Sequence, residues 1–364
     1  MIPIGKTTLP EYKDVEKKFK EIFETGMVSN AKYVREFEEK AAKKIGVKYA
    51  VAAPSNTTAM IGVMSLVEKG EVIMPSFTIA NTYYALKWNN LKPVLVDCDD
   101  YCNIDVDEVR KNINKKTKAV LAVYMFGACP EMDELMELCE EKEIDLFIDA
   151  AQGFGGKYKG KYFGNFGKAE IFSFDPSKTI GIGEGGIVTT NDKKFMEDLN
   201  VVFRNGMEKP GEMDSMRVGL NGRLPEMCAV IGIEALKKID YYIERRNKLA
   251  ERYIKNLENV GGMEIIGNPE WCLSTFKDFV VLVNKEFGMD RNKLKEELFK
   301  RDIHTRKYFY PSIHWMSSCK EEFVNLKLPK TEKMSLKVLS LPIYSHMPFE
   351  DVDKVCDAIK EIKE

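Results

Sequence analysis

Lys178 stands in the segment SFDPSKTIGIGEGGIVTT, residues 173–190, where an apolar run ends and a loop presents the lysine. Gly181, Gly183, Gly185 and Gly186 follow before the next apolar run. A lysine at the mouth of a strand can reach a planar carbonyl cofactor and form a Schiff base with it. Glycines let backbone lie close to such a ligand or adopt positive φ. An ordinary surface lysine in a glycine-rich loop fits the same residues, so the segment alone does not decide. A dinucleotide-binding reading of GIGEGG is weak, because its glycines lead into a strand and not a helix.

Two further segments supply complementary chemistry. In IDAAQ, Asp149 ends an apolar strand and Gln152 follows three residues on. A carboxylate there is costly unless a cation pairs with it. A protonated pyridine nitrogen would serve, and that pairing keeps pyridoxal 5′-phosphate (PLP) an effective electron sink. The plain alternative is an aspartate capping the following turn. In APSNTTAMIGVM, residues Ser55, Asn56, Thr57 and Thr58 crowd a helix start, where free N–H groups and the helix dipole attract phosphate. Simple N-capping explains that segment equally well. Taken together, a lysine and an aspartate at strand ends of one sheet favour PLP.

The elements that must position these groups are short apolar runs alternating with helical patterns up to about residue 240. Strands are expected at Tyr49–Ala53, Glu71–Pro75, 93–97, 119–126, Asp145–Asp149, 169–174 and Gly186–Thr190. Several are continuous apolar runs, as strands covered on both faces should be. The alternation implies a mainly parallel sheet with right-handed crossovers, whose ligands sit beyond the carboxyl ends of the strands. An amphipathic helix is expected near 133–142, and one long helix from 225 to 259, ended by Gly261 and Gly262. A strand at DFVVLV, a helix at 290–300 and a terminal helix from Pro348 form a smaller α/β unit. The division expected is a large domain over residues 1–240 and a small one over 241–364.

Composition bounds the rest. The chain has 364 residues, 55 Lys+Arg against 57 Asp+Glu and 44% apolar residues, enough for a large core and too evenly charged for a broad basic face. Eight cysteines include no CxxC pair, and no apolar h-region opens the chain; reduced thiols in a cytoplasmic protein are the expectation. Three histidines, His304, His314 and His346, are too sparse for a metal site, so no metal is expected. Arg223 and Arg306 have the geometry to meet a diphosphate, and Tyr308 and His314 lie in the basic, aromatic segment RKYFYPSIHW.

The ordered set SNTTAM, PSFTIANT, IDAAQ, SFDPSKTIGIGEGG and VGLNGR resembles the DegT/StrS-type sugar aminotransferases, a branch of the aspartate-aminotransferase fold type I enzymes. The likeness spans nearly the whole chain. It implies a seven-stranded, mainly parallel sheet in the large domain, PLP as cofactor, and transfer of an amino group from glutamate to the keto group of a nucleotide-linked sugar. Lys178 would carry the Schiff base. Asp149 would hold the pyridinium nitrogen, Gln152 would face the ring hydroxyl, and Thr57, Thr58 and Ser173 would hold the phosphate. Asn221 would reach the cofactor of a neighbouring subunit, making a homodimer necessary. Arg223, Arg306, Tyr308 and His314 would line the substrate cleft. Three positions depart from the family's habit: Asn56 replaces a frequent glycine, Ile79 a frequent ring-stacking aromatic, and Tyr344 a frequent histidine. Asn56 is expected to accept left-handed φ in the glycine's place. Lys178 separates the chain from dehydratase members, which carry histidine there. The rival readings are amination of a keto-cyclitol, or a PLP-binding regulator on the same scaffold.

Overall fold

The computed structural model describes residues 1–209, 211 and 213–364. A seven-stranded sheet has the order 49–53, 186–190, 169–173, 145–149, 117–123, 71–75, 92–96. Neighbours from Ala169–Ser173 to Lys92–Val96 pair in parallel, and Gly186–Thr190 alone runs antiparallel, to both its neighbours. Its reversal brings Gly186 opposite Ala53 on one side and Ser173 on the other. The start of that strand therefore joins the carboxyl ends of its neighbours along one edge of the sheet.

Tyr49–Ala53, Glu71–Pro75, Asp145–Asp149 and Gly186–Thr190 match the expected strands, because uninterrupted apolar runs bounded by polar residues leave little freedom of register. The strand expected over 119–126 instead occupies Thr117–Val123. Phe126 has φ +57 in a tight turn over Met125–Gly127, and the chain leaves the sheet there. Backbone bonds from Lys277 to the Phe126 carbonyl (3.0 Å) and from Thr275 to that of Gly127 (3.1 Å) hold the turn. The apolar character of YMF thus reflects burial in that turn, not strand pairing.

The long helix expected from 225 to 259 is two helices, Glu226–Leu236 and Ile239–Leu257. Lys237 and Lys238 form i→i−3 backbone bonds between them, to Glu234 (3.3 Å) and Ala235 (3.1 Å). Tertiary packing explains the break. The first helix is buried nearly all round, with Gly232 pressed so tightly on Phe37 that a Cβ would lie 2.6 Å from the ring. The second is amphipathic and passes from one core to another. Its Ile239, Tyr242 and Ile243 belong to the large-sheet core, while Leu249, Ala250, Tyr253 and Leu257 belong to the small one. The small core surrounds an antiparallel sheet of Met263–Ile265, Phe279–Val283 and Val338–Leu341. Two segments cross between the cores: Ile2 packs in the small one, and Ile313, Cys319 and Leu328 pack on the large one.

One long-range cap ties the large domain together. Helix Lys32–Ile45 begins after Ala31, which has no side chain able to cap it. The Glu226 carboxylate, 1% exposed, accepts instead from the N–H groups of Ala31 (2.7 Å), Tyr33 (2.7 Å) and Val34 (3.0 Å). A charged acceptor at a helix N-terminus satisfies orphan donors and favours the dipole. Replacing Glu226 by Ala should cost roughly 2–4 kcal/mol, the scale of several buried donors left unsatisfied, read as a lower midpoint in urea unfolding. An unchanged midpoint would show that these bonds carry no stability.

Candidate active site

Asp149 is 2% exposed at the end of its strand. Oδ2 accepts from the Thr82 hydroxyl at 2.8 Å, and Oδ1 from the Ala151 N–H at 3.2 Å and the Asn56 amide at 3.5 Å. Burial pushes its carboxyl above the usual range, while the Thr82 and Ala151 bonds and the nearby charge of Lys178 pull it down without prevailing. A carboxylate so placed calls for a further cationic partner.

Lys178 is supplied by the loop after Ala169–Ser173. Asp175 organises that loop: its Oδ1 accepts from the N–H (2.8 Å) and hydroxyl (2.6 Å) of Ser177, and its carbonyl accepts from the Lys178 N–H at 3.0 Å. Its Oδ2 lies 2.9 Å from Lys178 Nζ. Burial alone would raise the Asp175 carboxyl, but the Lys178 charge and Ser177 outweigh it and hold it well below the usual range. The glycine-rich return has two strict requirements. Gly183 has φ +94, and a Cβ on Gly186 would lie 2.8 Å from the Ser55–Asn56 backbone. Gly186 is thus what lets the reversed strand touch the start of helix Asn56–Met64.

At that helix start the Ser55 hydroxyl accepts from the Thr58 N–H at 3.0 Å. Thr57 Oγ1 accepts from the Asn81 amide at 2.9 Å. Among the described residues nothing accepts from the N–H groups of Asn56 and Thr57, leaving donors for an anion. Asn56 does not adopt the left-handed conformation expected of it. It is the first helical residue, and its amide bonds the Ile171 carbonyl at 3.1 Å as well as Asp149. Ser173, nearly buried, donates to Asp175 Oδ2 at 3.2 Å. Gln152 keeps a buried Oε1 with no partner among the described residues. Free donors at a helix start, a lone acceptor and a buried carboxylate with no ion-pair partner, brought together at the strand ends by the Asn56–Asp149 contact, match a phosphate, a ring hydroxyl and a ring nitrogen, so the residues fit PLP.

The other expected positions are dispersed. Ile79 is 45% exposed at the start of helix Ala80–Trp88, while Phe77 is fully buried, edge-on to Phe126 and Phe309. Asn221 and Arg223 are exposed and bonded to each other at 2.9 Å. His314 is 3% exposed, and its Nδ1 lies 2.7 Å from the Ser76 hydroxyl. Tyr344 is also buried, against His346. Arg306 and Tyr308 bond each other and line a cavity of about 200 Å³ with Thr7, Ser177, Lys277 and Asp278. Sequence reasoning passed over Thr82, Asp175 and Lys277. The first two lie inside quoted motifs, and Asp175 stands three residues before Lys178, a spacing that signals such a loop.

A model of the DegT/DnrJ/EryC1/StrS aminotransferase family matches residues 11–360. The chain belongs to that family. Its enzymes are PLP-dependent, so this is a PLP-dependent aminotransferase whose cofactor is the group the cleft fits. A GDP-perosamine synthase of Escherichia coli O157:H7 is 30% identical over 341 residues, covering 93% of this chain and 92% of its own. A dTDP-3-amino-3,4,6-trideoxy-alpha-D-glucose transaminase of Micromonospora megalomicea subsp. nigra is 29% identical, covering 97% and 95%. Among solved structures, DesI in the presence of its TDP-sugar product superposes with a TM-score of 0.92 at 29% identity, covering 100% of this chain and 93% of DesI.

Asp149→Asn removes the buried charge that would pair with the ring nitrogen of a bound cofactor. PLP affinity should fall about tenfold or more, since each 1.36 kcal/mol of lost pairing is one decade. Thr82→Val should weaken it less. Absorbance titration of the cofactor-free protein with PLP measures both, and wild-type affinity in Asp149→Asn would contradict the pairing.

Proposed function

We propose that the enzyme transfers the amino group of glutamate to the keto group of a nucleotide-linked sugar, and that it acts as a homodimer with shared sites. What carries this reading is Lys178, held by Asp175 close enough for its charge to act on the buried Asp149, together with whole-length likeness to enzymes named for nucleotide amino sugars.

PLP, when bound, supplies the electron sink that stabilises the donor's deprotonated carbon. The chain's own groups do the rest. Asp149 keeps the ring nitrogen protonated, because a buried carboxylate is most stable beside a positive charge. Asn56 and Thr57 N–H groups, with Ser173, hold the phosphate and fix the ring's position. Lys178 Nζ would take the proton from the donor's α-carbon in the first half-reaction and deliver a proton to the carbon that receives the nitrogen in the second, acting as general base and then as general acid. Asp175 restrains that amine and aims it between strokes. Amination of a keto-cyclitol would use the same machinery; the named relatives favour a nucleotide sugar.

The homodimer is supported by what one chain leaves open. Asn221 and Arg223 have no bond to the Lys178 cluster, and the segment before them exposes Met213 (92%), Met216 (64%) and Val218 (91%). Covering such apolar side chains and delivering Asn221 to a neighbour's phosphate are two results of one association.

Two experiments test the reading. Lys178→Ala should abolish formation of 2-oxoglutarate from glutamate with any keto-sugar nucleotide; turnover near the wild-type rate would sink the assignment. Mixing Lys178→Ala with an inactive Asn221 variant should restore about a quarter of wild-type activity, because random re-pairing makes half the dimers mixed, each with one intact site. No recovery after subunit exchange would contradict shared sites.

A further inference from the structure

Lys277 is the least expected cation in the molecule. It is 6% exposed, and Asp278 holds its ammonium through both oxygens, each at 3.0 Å. The backbone is equally fixed: the Lys277 N–H donates to the Phe126 carbonyl at 3.0 Å, and the buried Arg246 reaches the carbonyls of Phe276 (2.9 Å) and Lys277 (3.4 Å). Burying such a pair seldom adds stability over apolar residues of similar size. A role for the charge itself is the better account.

Its surroundings indicate that role. Lys277 lines the cavity of about 200 Å³ with Ser177, Arg306 and Tyr308, next to the loop that carries Lys178. Burial lowers its proton affinity, Asp278 restores part of it, and the neighbouring charge of Lys178 lowers it again, so the two amines share one site. An ammonium has three donors. Asp278 takes two, and among the described residues no other hydrogen-bond acceptor takes the third. Arg306 lines the same cavity; its backbone pairs with Ser340, and among the described residues its guanidinium bonds only the Tyr308 hydroxyl. Lys277 and Arg306 therefore put two cations on the lining of a small cavity against the one carboxylate of Asp278, with Lys178 following Ser177 at its edge in sequence.

We propose that Lys277, with Arg306, receives the α-carboxylate of the amino donor. This rests on the aminotransferase reading above and names the donor's side of the same cleft. Distance decides between the two anions available to such an enzyme. An α-carboxylate is one bond from the carbon whose proton Lys178 takes, so its cation must lie beside that lysine. A nucleotide's diphosphate lies across the sugar ring from the reacting carbon and needs cations farther out.

The test uses the full-length, PLP-loaded enzyme. Following the bound cofactor's absorbance while adding glutamate gives the half-saturating donor concentration, and calorimetry with GDP and with dTDP reports the nucleotide side. In Lys277→Gln the half-saturating glutamate should rise about tenfold or more, the scale of a lost charge-assisted hydrogen bond, while nucleotide affinity moves less than about twofold. Lys277→Arg should recover most of the loss. Because Lys277→Gln leaves Asp278 without its counter-ion, the double variant K277Q/D278N carries the same expectation if the single one unfolds early. Unchanged glutamate saturation in a folded variant overturns the proposal, as does weakened nucleotide binding with glutamate unaffected. A wild-type enzyme whose cofactor ignores glutamate would instead remove the donor reading itself, and this proposal with it.

Discussion

A buried carboxylate at the end of a parallel strand is the constraint around which the site is organised. Asp149 sits 2% exposed with one hydroxyl, one backbone N–H and a long amide contact for company. Such a group is tolerable only where something positive completes its surroundings. The sheet meets that need by ordering: the carboxyl ends of 49–53, 145–149 and 169–173 lie along one edge, and the single reversed strand adds its start to them. The free N–H groups of Asn56 and Thr57, the Asp149 carboxylate and Lys178 thus come from distant parts of the chain to one line of backbone. Gly186 is the stitch, since any side chain there would collide with the backbone that opens helix Asn56–Met64.

The smaller sheet and its core join the larger through a few backbone contacts. The Met125–Gly127 turn, where the strand 117–123 ends early, is bonded to Thr275 and Lys277 on the approach to strand Phe279–Val283. Helix Ile239–Leu257 divides its buried residues between the two cores. Backbone bonds therefore join the two cores beside the cavity that Lys277 lines with Arg306 and Tyr308.

Much of this was legible in the residues. Apolar runs with no polar interruption marked the strands, and Lys178, Asp149 and the Ser55–Thr58 helix start were visible because catalysis needs unusual residues at strand ends. The failures have physical reasons. Helical periodicity continued across Lys237 and Lys238, so it could not reveal a bend imposed by two cores. The run through Phe126 read as strand because burial in a turn and burial in a sheet select the same side chains. Asn56 looked like a substitute for a flexible glycine, whereas its amide is used to bond Asp149 and Ile171. Lys277 and Glu226 gave no signal, because a buried ion pair and a cap from 195 residues away exist only after the chain has folded.

Reduction of the PLP-loaded enzyme with borohydride, followed by peptide mass mapping, tests the central claim most directly. Reduction fixes the cofactor to whichever amine holds it. The account predicts one modified peptide with the added mass on Lys178, and none after glutamate has been supplied first. Modification of Lys277 in its place, or no modified lysine at all, would contradict it.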